Sequence, residues 1–242
     1  DLHIDNVGGT VSMIRLAEDL SVEKSQSVSI SADLYRNWGE WQGNFLVEGF
    51  FTDLDDVFAL KEIGFEDGIL IKERHNESGA RVFGGNLEGK IAYRNLFQLQ
   101  LGLTAQNSKY KEARSWSDDV EATRDMFRTP DLHGYLTASY DPVKSLSLSL
   151  TGTYTGSMLI EHHAGMIPGN VSVTTPDFWD LGFKAAYGLR IYRSFTLQFN
   201  AGVQNIFNSF QKDLDKGEFR DSGYFYGPTQ PRTLFVGIKI TN

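Results

Sequence analysis

Four side chains able to hold a soft metal stand close together in the sequence: Met158, His162, His163 and Met166. Imidazole nitrogen and thioether sulfur select such ions, so this loop is a candidate site for a metal or a metal chelate. The blander account, a loop packing on its neighbours, takes precedence. Asp213, Asp215 and Gly217 make a D-x-D-x-G run similar to part of a calcium loop, without the remaining ligands at the required spacing. Asp53, Asp55 and Asp56 could take the same ion, although such runs are usually solvated. Calcium in these loops is the one cofactor the residues suggest, and nothing in them requires it. Tyr110, Trp116 and Arg124 could grip a ligand through stacking and charge, with loop solubility and lipopolysaccharide contact as competing explanations. Arg220 and Asp221 read as a structural pair. His133 lies opposite many serines but comes with no nucleophile-elbow spacing, so no catalytic residue is assigned and the chain is read as a non-enzyme.

These residues sit between segments of clean period-2 alternation, the pattern of a two-faced strand. Val28, Ile30, Ala32 and Leu34 oppose Ser27, Ser29, Ser31 and Asp33. Phe45, Val47, Gly49 and Phe51 share a face in the next strand. Residues 68–93 carry several glycines and read as one long strand with a bulge. Phe97, Leu99, Leu101, Leu103 and Ala105 oppose a row of amides and small residues, Gln98, Gln100, Gly102, Thr104 and Gln106. The same pattern marks strands over 132–140, 146–154, 178–190, 195–203 and 232–240. That makes nine strands, all antiparallel neighbours.

Two regularities narrow the fold class. Tight turns alternate with long loops, and the strands exceed the ~5–6 residues common in soluble sheets. Aromatics gather beside the tight turns: Trp38, Trp41, Tyr93, Phe97, Tyr140, Tyr187, Tyr192 and Phe195. Short turns at one end, long loops at the other and an aromatic girdle belong to transmembrane barrels. A mean hydropathy of -0.30 does not decide the matter, because a barrel wall averages lipid-facing and lumen-facing residues. No run of 18 apolar residues exists, which excludes a helical span. The net charge of -8 leaves no basic surplus for nucleic acid. The absence of cysteine excludes disulfides and thiolate metal sites. With 242 residues and neither an initiator Met nor a signal-like start, the sequence reads as a piece of a longer protein.

Two stretches then carry a family resemblance. Residues 201–240, with GVQNIFN, RDSGYFYGP and the closing PRTLFVGIKI, resemble the C-terminal end of TonB-dependent outer-membrane receptors. SVEKSQSVSISADLYRN followed by FLVEGFFTDLDDVF resembles a descending and ascending strand pair of the same family, with Val22 where a proline is usual. The resemblance implies an all-β fold: the C-terminal portion, about nine or ten antiparallel strands, of a large transmembrane β-barrel. Residues 1–24 are expected as an outer loop segment with room for one short strand, and residues 25–242 as the barrel part.

An odd count of nine cannot close an antiparallel barrel, and bare edges in hydrocarbon cost several kcal/mol per group. In a barrel of about 22 strands the missing wall and a plug would come from elsewhere in the receptor. The implied partners are that N-terminal barrel and plug portion, the TonB complex through the plug, the lipid bilayer, and a nutrient ligand with or without a surface lipoprotein. The implied activity is energised uptake, in the bacterial outer membrane, of a siderophore, haem, cobalamin or oligosaccharide. A passive substrate-specific porin and a soluble β-sandwich carbohydrate-binding module remain as alternatives. The sandwich requires the apolar faces to meet in a dry interior.

Overall fold

The computed structural model describes residues 3–7, 10–192 and 195–241. In chain order the strands are β1 (His3–Val7), β2 (Thr10–Leu16), β3 (Lys24–Trp38), β4 (Trp41–Asp55), β5 (Val57–Glu66), β6 (Ile69–Glu77), β7 (Ala80–Tyr93) and β8 (Phe97–Arg114). They continue with β9 (Thr123–Asp125), β10 (Leu132–Val143), β11 (Leu146–Thr155), β12 (Leu159–His162), β13 (Val171–Thr174), β14 (Phe178–Tyr192), β15 (Phe195–Gln204) and β16 (Thr233–Thr241). Nine of them form one antiparallel path, β16-β15-β14-β11-β10-β8-β7-β4-β3, with the short β9 attached to β8.

Register joins the apolar positions into rows that cross every strand of this wall. Ala32 pairs with Val47, Val47 with Leu87, and Leu87 with Leu103. Further along, Leu101 pairs with Leu136, Ala138 with Leu150, Leu150 with Phe183, Phe183 with Val203, and Val203 with Leu234. Cross-strand pairs of this kind are the unit of sheet stabilisation, and a slip of one residue would turn the whole set over. The face they make is not covered: Ile30, Leu101 and Val236 are 79%, 48% and 87% exposed. The dry interior that a sandwich requires is therefore absent from this wall. On the opposite face Asn86 Nδ2 donates to Glu48 Oε2 at 2.8 Å, and Thr104 Oγ1 donates to Asn86 Oδ1 at 2.8 Å. One side of the sheet is thus greasy and open, the other polar and cross-bonded.

The tight turns lie at one end. Arg94, held at φ 48°, turns β7 into β8 and ion-pairs with Glu40 of the neighbouring turn. Aromatics line this end as the sequence suggests, with Trp41 and Tyr93 rings 4.8 Å apart and Phe97 paired with Tyr140. The ladder of β10 and β11 is interrupted beside Pro142, which has no N–H to give it. Arg193 and Ser194, expected in the turn after β14, lie outside the described residues.

The structure corrects the expectation for residues 53–93. There is no single bulged strand over 68–93: β4 continues through a kink at Asp56 (φ 57°) into β5, and β6 returns through Gly79 into β7. Gly79 has φ 112°, and a Cβ there would meet the Leu54 carbonyl oxygen at 1.9 Å, so only glycine fits. At the tip Asp67 and Gly68 both have positive φ, as a two-residue hairpin turn with the right twist requires. This extension joins the chain's first strands in a separate four-stranded sheet, β1-β2-β6-β5, in which β2 and β6 run parallel. Residues 1–24, expected as loop with room for one short strand, hold two; Gly8 and Gly9 between them lie outside the described residues.

Asn76 ties this excursion to the wall. Its Nδ2 donates to the carbonyl oxygens of Ser21 and Asp56, at 3.0 and 2.6 Å, and its Oδ1 accepts the Ser21 amide at 2.7 Å. Asn76→Ala is expected to loosen the crossing segment and the hairpin base by about 1–3 kcal/mol, the cost of polar groups left without partners. Faster amide exchange at Ser21 and Phe58, with β10 and β11 unchanged, would show it.

Candidate functional site

At the long-loop end, three connections pack together: residues 115–131, 156–177 and 205–232. The centre is apolar, with Ile160 fully buried among Phe178, Tyr224 and Tyr226, and with Met158 and Val173 against them. Ile160 is placed by the short hairpin of β12 and β13, where it pairs with Val173. Gly227 has φ 73°, and a Cβ would lie 2.7 Å from the Phe178 ring, so glycine lets the last loop lie on that ring.

Around this centre runs a chain of polar contacts. The His162 ring stacks on Tyr224 at 3.6 Å with an 8° interplanar angle, and its Nε2 lies 3.0 Å from Asp215 Oδ2. Asp215 also accepts the Asp221 amide at 3.0 Å. Asp221 in turn accepts the His163 amide at 2.9 Å and the Gly223 amide at 2.7 Å. The Tyr224 and Tyr226 hydroxyls donate to the two oxygens of Asp213 at 2.6 and 2.5 Å. Gln211 is buried and closes the same loop, donating to the Tyr224 carbonyl and accepting the Tyr226 amide. From the first connection Arg128 donates to the carbonyls of Phe225 and Gly223, at 2.9 and 2.5 Å. Trp116 stacks edge-on against His163 at 4.8 Å and donates to Ser172 Oγ at 3.0 Å.

These contacts set the titration of the cluster. Burial alone would raise the Asp213 and Asp215 carboxyls; for Asp213 the two phenols, and for Asp215 the Asp221 amide and His162, outweigh it and hold both below the ordinary carboxylate value. Burial and the Asp213 carboxylate push Tyr226 up to about 12 and raise Tyr224 further. Depressed carboxyls contribute stability that is full above about pH 3.9 and is lost as pH falls below it. Raised phenols contribute stability that is full below about pH 10 and is lost as pH climbs towards their folded values. Limited proteolysis of residues 205–231 is expected to be slow across the plateau between these limits and to accelerate outside both.

The structure gathers Trp116, His162, His163, Asp213, Asp215 and Met158 into this one cluster, as a lock between loops. The proposed metal ligands do not converge: Asp213 is occupied by phenols, Asp215 by imidazole and amide, Met158 packs on the apolar centre, and Met166 is exposed with its sulfur accepting the Lys216 amide. Among the described residues no three His, Asp or Glu side chains assemble as a metal site. The acidic run at the end of β4 is met by cations, with Lys111 2.9 Å and Arg81 3.2 Å from Asp53, and Lys24 3.0 Å from Asp56. Tyr110 lies apart from the cluster, buried under the Arg114 guanidinium at 3.8 Å, and Arg124 is spent on the Tyr110 carbonyl at 2.9 Å. Arg220 donates to the Gly217 carbonyl instead of pairing with Asp221. His133 Nδ1 is buried without a hydrogen-bond partner among the described residues.

Sequence reasoning missed Asn205, Gln211, Tyr224, Tyr226, Arg128 and Ile160. Asn205 is buried at φ 48° and donates to the carbonyls of Ser209 and Gln230, at 3.0 and 2.8 Å, which folds the last loop back on β15. The repeated Asn of NIFN was the available signal, since asparagine tolerates the left-handed region and bonds nearby backbone. Asn208 has φ 54° and accepts the Arg232 amide, completing that return.

No protein-family model and no curated protein matches this sequence. Solved structures do match its fold. The ferric-catecholate import receptor Fiu of E. coli K12 superposes with a TM-score of 0.60 at 20% identity, over 96% of this chain and 28% of the receptor. The ferric enterobactin receptor PfeA of Pseudomonas aeruginosa gives 0.58 at 15% identity, over 98% and 34%. The copper transporter OprC gives 0.60 at 18% identity, over 91% and 31%. The chain spans about a third or less of the length of each of these structures. Nine antiparallel strands, apolar on one face and polar on the other, tight turns at one end and interlocked loops at the other give this chain the fold of the C-terminal part of the barrel wall of TonB-dependent outer-membrane receptors.

Proposed function

We propose that this chain is part of an outer-membrane receptor that imports a large, scarce nutrient with energy delivered through TonB. The observation that carries the reading is the open apolar face that crosses all nine wall strands, backed by a polar face. In water such a face would be a liability; in a bilayer it is the lipid contact, and the polar face lines the lumen. The two outermost strands, β3 and β16, present bare edges that the rest of the receptor's wall would pair. That remainder, a plug inside it and the TonB complex are the partners. Siderophore, haem, cobalamin and oligosaccharide are the ligand classes in play, and import of a ferric chelate or of copper would parallel the matched structures. The chain's contribution is wall, lumen surface and interlocked outer loops, with no bond made or broken.

The test uses the full-length receptor in its own cells. Ligand that co-purifies with it is identified by mass spectrometry, and uptake of that ligand is measured with and without a protonophore. Uptake that collapses with the proton-motive force supports the proposal. Uptake that persists assigns the wall to a passive porin.

A further inference from the structure

Where the last loop returns to the wall, it closes a concavity of about 410 Å³ on the polar face. The strands β10 and β11 give it Thr137, Thr151 and Thr153, β14 gives Asp180, and residues 228–231 form the far side. The volume falls within the ~300–1,000 Å³ of small-ligand sites. Asn205 holds that far side in place through the Gln230 carbonyl at 2.8 Å.

We propose that this concavity is a subsite for a neutral, polyhydroxylated ligand of carbohydrate type. The inference rests on the transport reading, because it needs the polar face to be the lumen. Three observations support it. The hydroxyls of Thr137, Thr151 and Thr153 and the carboxylate of Asp180 make no hydrogen bond to any other described residue, although they converge on one space. They offer donors and acceptors in the mixture that vicinal hydroxyls satisfy. Second, the lining carries one carboxylate and no lysine or arginine, and the nearest cation along β14, Lys184, lies beyond it. An anionic chelate would meet repulsion there without compensation, whereas a neutral polyol can donate to Asp180. Third, Tyr135 lies flat on β8, because Gly102 has no Cβ: one built there would sit 2.2 Å from the ring. Its hydroxyl accepts Gln100 Nε2 at 3.0 Å, which fixes a ring whose free face can stack on the C–H face of a sugar.

The test is binding of a panel of neutral di- and trisaccharides of glucose, mannose and galactose to the full-length receptor in detergent, by calorimetry, with ferric enterobactin as the anionic comparator. At least one sugar is expected to bind, and ferric enterobactin is not. Thr137→Val and Thr151→Val, which keep shape and strand propensity, are each expected to weaken that sugar about 2- to 10-fold, and Asp180→Asn about 10-fold or more. Thr151→Ser, which keeps the hydroxyl, should bind like the wild type. Thermal unfolding of each variant separates lost binding from lost folding. No sugar bound, or sugar binding that all these variants leave unchanged, overturns the proposal. Energised uptake of an anionic chelate with no sugar bound removes the subsite and leaves the transport reading standing. Sugar binding with uptake indifferent to a protonophore does the reverse.

Discussion

Ala201→Arg is expected to cost about 2–4 kcal/mol of barrel stability, and Asn200→Arg, one residue away, within about 0.5 kcal/mol. Ala201 is exposed on the apolar face, in register with Ala185 and Val236 near the middle of the β15 ladder. Asn200 points to the other side, in register with Ala186 and Gly237, and among the described residues its side chain makes no hydrogen bond that the change would break. An arginine at the first position must sit in hydrocarbon or distort the bilayer to reach water, while at the second it enters a wet lumen. Guanidinium unfolding of the full-length receptor in lipid vesicles reads the difference directly. Equal costs at the two positions would remove the two-sided wall, and with it the membrane reading.

The second large effect is expected from His162→Ala, about 3 kcal/mol on the loop cluster. His162 and Asp215 are side chains only 9% and 4% exposed, and the carboxylate is held ionised by its contacts. Removing the imidazole leaves a buried, ionised carboxylate short of one of its two hydrogen-bond partners among the described residues, and a bond to a charged group counts for ~1.5–3 kcal/mol. The high end applies because both side chains are almost fully buried. The same change strips the face of Tyr224, whose hydroxyl holds Asp213. Since about 1.4 kcal/mol is tenfold, amide exchange in residues 205–231 is expected to rise about 100-fold, with the ladders of β10, β11 and β14 unaltered. Unchanged exchange in those residues would mean the loops are held by something other than this cluster.

Both effects bear on the proposed uptake. A receptor wall must resist unfolding in lipid, and its loops must keep a defined surface toward the ligand. The interlocked loops meet the second need with side chains that first looked like ligands for a metal. Their donors and acceptors are consumed by one another. The free polar groups are found lower down, on the polar face of the wall, where Thr137, Thr151 and Asp180 have no hydrogen-bond partner among the described residues.

The sequence by itself determined the wall. Alternation with a period of two is a local property, so Val28 to Leu34 or Phe97 to Ala105 declared their faces without help from distant residues, and the turns at Arg94 and Pro142 declared where each ladder reverses. Nine wall strands, their order and the greasy side could all be read this way. Only the tertiary structure decided the excursion of β5 and β6, because the glycine that bends the chain at Gly79 looks in sequence like the glycines that bulge a continuous strand. Its parallel pairing with β2 depends on a crossing segment that Asn76 clamps from 55 residues away. The loop cluster was equally out of reach, since His162 and Asp215 are 53 residues apart and nothing local distinguishes a histidine that binds metal from one that stacks on a tyrosine. Strand faces follow from neighbours one and two residues away along the chain; the roles of His162, Asp213 and Asp180 depend on which groups the folded loops and strands bring, or fail to bring, within hydrogen-bonding distance.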